Sequence, residues 1–129
     1  MTNNKKKILI VDDEKTILDM TTTYLERKGF YVDNSSNGEE ATAMLDSNEY
    51  DVILTDIMMA KMDGLTFYKN LKESSPSCAE KVIFMTASRL LADTKSVEST
   101  GRPVLDKPFA LEDLSKAVNK LLSKKPATP

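Results

Sequence analysis

The apolar positions of this chain gather into short runs that recur along its whole length: KILIV (7–11), YVDN (31–34), DVILT (51–55), KVIFMT (81–86) and PVLD (103–106). Within them, ILIV, VILT and VIFM show no in–out alternation. A strand with one wet face alternates, whereas a strand covered on both faces reads as a continuous apolar run. The runs are therefore read as buried strands.

Between them the spacing is helical. Residues 14–28 place Leu18, Thr21 and Leu25 on one stripe with Ile17, Met20 and Tyr24 beside it, and Gly29 stands where a helix C-terminus favours glycine. The segment SNGEEATAMLD (36–46) has Ser36 with Glu39 three residues on, a capping-box pattern. GLTFYKNLKE (64–73) carries Leu65, Tyr68 and Leu71 at helical spacing. LLADTKSVEST (90–100) is a weaker helix, and LEDLSKAVNKLL (111–122) aligns Leu111, Leu114, Val118 and Leu121. Strand and helix thus alternate five times, which favours a parallel sheet with helices on both faces.

Composition narrows the class without naming a function. The 129 residues suit one domain, 40% are hydrophobic, and the net charge is -2, so no basic surface for non-specific nucleic-acid binding is expected. No apolar run approaches the ~20 residues of a membrane helix, and no membrane insertion is expected. The single Cys78 reads as a reduced thiol of a cytoplasmic protein. Histidine is absent, which excludes His-based metal sites, Ser–His–Asp triads and a phosphohistidine carried by this chain.

The polar residues that end the strands carry the chemistry. Asp12 and Asp13 follow the first run, Asp56 ends the third, Thr86 ends the fourth and Lys107 follows the fifth. Open α/β sheets bind ligands outside the carboxyl ends of their strands. Taken singly, each residue has a bland reading as a cap, an ordinary strand residue or an exposed lysine. Together they put three carboxylates, a hydroxyl and an ammonium on one edge. Clustered carboxylates call for a cation, and hard oxygen donors suit Mg²⁺ or Mn²⁺. A metal, an ammonium and a carboxylate nucleophile together suit phosphoryl transfer.

On these residues the sequence resembles the receiver domain of two-component response regulators. The resemblance covers residues 5–122 and is carried by ILIVDDE, DVILTDIMMAKMDG, VIFMTA and VLDKPF. It implies a flavodoxin-like, doubly wound, five-stranded parallel sheet of order 2-1-3-4-5 with five helices; outside it, 1–4 and the polar, Pro-rich tail 123–129 read as flexible termini. It implies that Asp56 is the phosphoacceptor and that Asp13 ligates Mg²⁺ directly. Asp12 then acts mainly through a metal-bound water, and the backbone carbonyl of Met58 is a further metal ligand. Lys107 and Thr86 would each meet a phosphoryl oxygen, the Lys107–Pro108 peptide would be cis, and Gly64 would let the loop turn into the third helix. The implied partners are a histidine kinase or phosphotransfer protein and a downstream protein target. The implied activity is phosphorelay signal transduction, with no catalysis beyond the chain's own phosphoryl transfer and autodephosphorylation.

Two positions depart from the family pattern. Ala60 stands where proline is usual four residues after the phosphoacceptor, which suggests a looser loop. Val104 stands where Tyr or Phe is frequent three residues before the lysine, so a coupled Thr–aromatic switch would be absent or altered. The form GRPVLDKPF is similar to receivers fused to hybrid sensor kinases. Two other classes compete. A haloacid-dehalogenase-type phosphatase needs a second Asp two residues after its nucleophile, and that position is Met58. A non-phosphorylated interaction domain with a receiver fold would lack one or more of the five site residues, and this chain retains them all.

Overall fold

The computed structural model describes residues 5–59, 61–87 and 94–123. Five strands, β1 (Lys7–Val11), β2 (Tyr31–Ser35), β3 (Val52–Asp56), β4 (Val82–Thr86) and β5 (Val104–Asp106), form one sheet of order β2-β1-β3-β4-β5. All neighbouring pairs run parallel. The expected order 2-1-3-4-5 is therefore the observed one.

Six helices connect or flank the strands among the described residues: α1 (Lys15–Arg27), α2 (Gly38–Ser47), α3 (Gly64–Ser74), α4 (Pro76–Ala79), α5 (Thr94–Glu98) and α6 (Leu111–Ser123). The sequence pattern leads to five. The additional one, α4, is a single turn with Pro76 at its start, where a fixed φ and a missing N–H cost nothing. Ser123, placed with the flexible C-terminal tail on the sequence, closes α6. Residues 90–93 of the weak helix expected at 90–100, and Ala60, lie outside the described residues.

The period-2 alternation of the central strands divides the core in two. Leu9, Val11, Ile53, Val82 and Phe84 face α2, α3 and α5 through Ala41, Phe67, Tyr68, Leu71 and Val97. Ile8, Ile10, Val52, Leu54, Ile83 and Met85 face α1 and α6 through Leu25, Leu114 and Val118. Both faces are covered, which is why these runs are apolar at every position.

Local chemistry sets the helix ends. Gly29 has φ +98°, its amide donates to the Glu26 carbonyl, and the Phe30 amide reaches the Leu25 carbonyl. These are the two bonds of a Schellman stop. At α2 the cap falls one residue later than the sequence suggests. Asn37 Oδ1 accepts from the Glu40 amide at 2.9 Å, and Glu40 Oε1 accepts from the Ser36 amide at 3.3 Å. Asn37 takes the role expected of Ser36, and Glu40 that of Glu39. Asp63 Oδ1 caps α3 by accepting from the Thr66 amide at 2.8 Å.

Candidate functional site

β1 and β3 are neighbours, but the chain leaves them for opposite sides of the sheet, so their carboxyl ends border the crevice where strand order reverses. Asp12 is the first residue past β1. Its amide donates to the Ser35 carbonyl at 3.0 Å and its side chain is fully buried. Asp13 beside it is exposed. Asp56 is the last residue of β3 and is 4% exposed. One carboxylate oxygen from each of Asp12, Asp13 and Asp56 lies within 4.8 Å of the others, so this donor set fits a divalent cation.

Lys107 enters from the far side of the sheet. Its amide donates to the Thr86 carbonyl at 2.7 Å, and the peptide to Pro108 is cis. Its Nζ donates to Asp12 Oδ2 at 2.6 Å, Asp56 Oδ2 at 3.3 Å and Glu14 Oε1 at 3.3 Å. Thr86 is buried at the end of β4 and pairs in register with Asp106. The five residues read from the strand ends therefore occupy one edge, as expected. Glu14 joins them, although on the sequence it marks only the start of the first helix. The signal was present in the run DDE, a third carboxylate following two others.

The electrostatics follow from burial. Desolvation pushes the Asp56 carboxyl up to about 6, the nearby Asp12 charge adds to this, and Lys107 and the Met58 amide only partly offset it. For Lys107, burial alone would lower the ammonium's pKa. The hydrogen bond to Asp12 and the charges of Asp56 and Asp12 outweigh it, and the group is raised. Met58 itself is 49% exposed, and its amide donates to Asp56 Oδ1 at 3.4 Å.

Gly64 is needed for a reason other than the freedom to turn. Its φ is not positive; the constraint is space, since a Cβ there would run into the Asp56 carbonyl oxygen. The Gly64 amide donates to the Ile57 carbonyl at 2.8 Å, which ties the start of α3 against the end of β3. Val104 is half-buried against the α3-side core, opposite Phe84 in register, and Tyr68 meets Phe84 edge-on at 5.6 Å.

A doubly wound sheet of this order, with an acidic cluster and a lysine at its switch point, defines a receiver-type fold. A family model described as the response regulator receiver domain matches residues 8–119, and the chain belongs to that family. It is 34% identical over 118 residues to the response regulator SaeR of Staphylococcus aureus, covering 91% of this chain and 50% of that protein. The chain thus spans about half the length of the curated relatives it matches. Among solved structures, a CheY-like receiver domain protein from Methanospirillum hungatei superposes with a TM-score of 0.84 at 28% identity, covering 92% of this chain and 94% of that one. The response regulator TrrA from Thermotoga maritima, in complex with Mg²⁺ and BeF, gives 0.81 at 31% identity, covering 91% and 99%. No described helix is long and apolar enough to cross a membrane.

Proposed function

We propose that this chain is a phosphorylation-dependent signalling switch. Asp56 receives a phosphoryl group from a phosphohistidine of a partner histidine kinase or phosphotransfer protein. The observation that carries this reading is Lys107 Nζ held 3.3 Å from Asp56 Oδ2 and 2.6 Å from Asp12 Oδ2, beside three carboxylates spaced for a cation.

Asp13, Asp56 and the Met58 carbonyl would hold Mg²⁺ (or Mn²⁺) directly, and Asp12 would act through a bound water. When bound, the cation neutralises charge on the phosphoryl oxygens in transfer. The chain's own residues do the rest. A carboxylate oxygen of Asp56 attacks phosphorus, the bond from phosphorus to the donor nitrogen breaks, and an acyl phosphate forms. Lys107 meets one equatorial oxygen and the Thr86 hydroxyl another. The added charge and acceptors reposition Thr86 and α5 and present a changed surface to a downstream protein. Val104 has one short β-branched side chain with little rotamer freedom, so the response runs through the 86–100 segment rather than through position 104. Water later hydrolyses the acyl phosphate, and the chain acts on no other substrate.

Incubation with acetyl phosphate and Mg²⁺, read by intact mass, tests the reading. One added phosphoryl group is expected on the native chain and none on Asp56→Asn. Continued labelling of that variant removes Asp56 from its role.

A further inference from the structure

Glu14 sits at the N-cap position of α1, where a short side chain such as Asp or Ser turns back to accept from the first-turn amides. It makes no such bond. Its backbone is held twice, the amide donating to Asp12 Oδ1 at 2.9 Å and the carbonyl accepting from the Leu18 amide at 3.1 Å. The carboxylate instead reaches across the site to Lys107 at 3.3 Å.

An ammonium has three N–H groups. In Lys107 they serve Asp12, Asp56 and Glu14, so a phosphoryl oxygen arriving on Asp56 finds none uncommitted. The three partners are not equally free to yield. Asp12 is fully buried and makes the shortest bond, and Asp56 is the group that carries the new phosphoryl. The Glu14 side chain is 57% exposed and can return to water at little cost. We propose that Glu14 is a positioning residue acting through Lys107. It holds the ammonium in the resting site and gives up its place when the phosphoryl group arrives, so that its competition sets how tightly the phosphorylated state is held.

This inference rests on the phosphoacceptor reading of Asp56. Its test is calorimetric titration of the full chain with Mg²⁺ alone, then with beryllofluoride at saturating Mg²⁺, in the native chain and in Glu14→Gln. The variant is expected to bind beryllofluoride about two- to fivefold more tightly, the range of one exposed ion pair. Its Mg²⁺ affinity is expected to be unchanged or slightly weaker, since a nearby negative charge is lost. A merely structural role would weaken both. In a Lys107→Gln background the gain from Glu14→Gln should vanish. If the gain persists there, it is simple repulsion of an anion and the proposal is overturned. Equal beryllofluoride affinity in Glu14→Gln and the native chain also overturns it, while leaving Asp56 as acceptor. Failure of the native chain to bind beryllofluoride overturns both readings.

Discussion

Lys107 stands closer to Asp12 than to Asp56, at 2.6 Å against 3.3 Å, so the ammonium is anchored on the buried carboxylate beside β1 rather than on the one at the end of β3. The lysine therefore has a structural task in the metal-free fold itself. It compensates two carboxylates that burial has stripped of water.

Lys107→Ala should expose that task. Breaking a buried pair by removing one partner leaves uncompensated charge and costs about 3–5 kcal/mol in the metal-free chain. Mg²⁺ should recover part of the loss, because the cation replaces the missing positive charge. Urea unfolding with and without Mg²⁺ checks this; equal stability of variant and native chain without metal contradicts it.

Asp56 gives the metal-free chain a pH dependence of definite sign. Its carboxyl titrates at about 6 in the folded chain against 3.8 ordinarily. Between these values the folded chain holds more protons than the unfolded one, so stability falls as pH rises. The contribution is complete below the ordinary value and lost above about 6. Asp56→Asn should thus raise metal-free stability at pH 7.5 by on the order of 1–3 kcal/mol, and the gain should fade towards pH 4. Denaturant midpoints across that range measure it, and a gain that grows on acidification reverses the sign.

Gly64→Ala should damage both fold and site, because the new methyl group meets the Asp56 carbonyl oxygen. Backbone cannot swing aside as a flexible side chain can, so a loss of about 1–3 kcal/mol is expected, with slower labelling by acetyl phosphate. Thermal unfolding and a labelling time course are the readouts. Native-like values in both would mean that α3 can shift without disturbing β3.

Lys61 has φ +66°, the one described non-glycine residue in the left-handed region. Lys61→Gly relieves the conformational penalty there, and a gain of about 0.5–1 kcal/mol is expected, reduced by the entropy glycine adds to the unfolded chain. Unfolding by denaturant, with labelling at Asp56 unchanged, is the check; a destabilised variant shows that the Lys61 side chain contributes more than its backbone costs.

Much of this was legible along the chain because the sheet is locally encoded. Runs such as Ile8–Val11 and Val82–Met85 are buried on both faces, so their composition alone marks them, and Asp12, Asp56 and Thr86 stand directly at their ends. Lys107 follows a weaker strand, and Pro108 and Phe109 help to mark it. What escaped has identifiable causes. The single turn Pro76–Ala79 is too short for any periodicity. The α2 cap at Asn37 rather than Ser36 depends on which of two adjacent acceptors meets the helix axis, a matter of backbone angle. The Glu14–Lys107 pair joins segments distant in sequence, so no local pattern announces it. Gly64 stands out in the sequence as a turn residue, but its contact with the backbone of Asp56 exists only once α3 is packed.

The bond from the Lys107 amide to the Thr86 carbonyl, together with the pairing of Thr86 with Asp106, bears on how this chain tolerates changes of length. Those two contacts fix where the lysine starts, independently of the route by which the chain travels from one to the other. What the Lys107 end of the site requires of the chain before Val104 is that β5 re-enter at the same rung. A single residue added between Val104 and Lys107 does not, because each step along a strand turns the side chain to the opposite face. The four positions from Val104 to Lys107 thus admit exchange of residues but no change in their number.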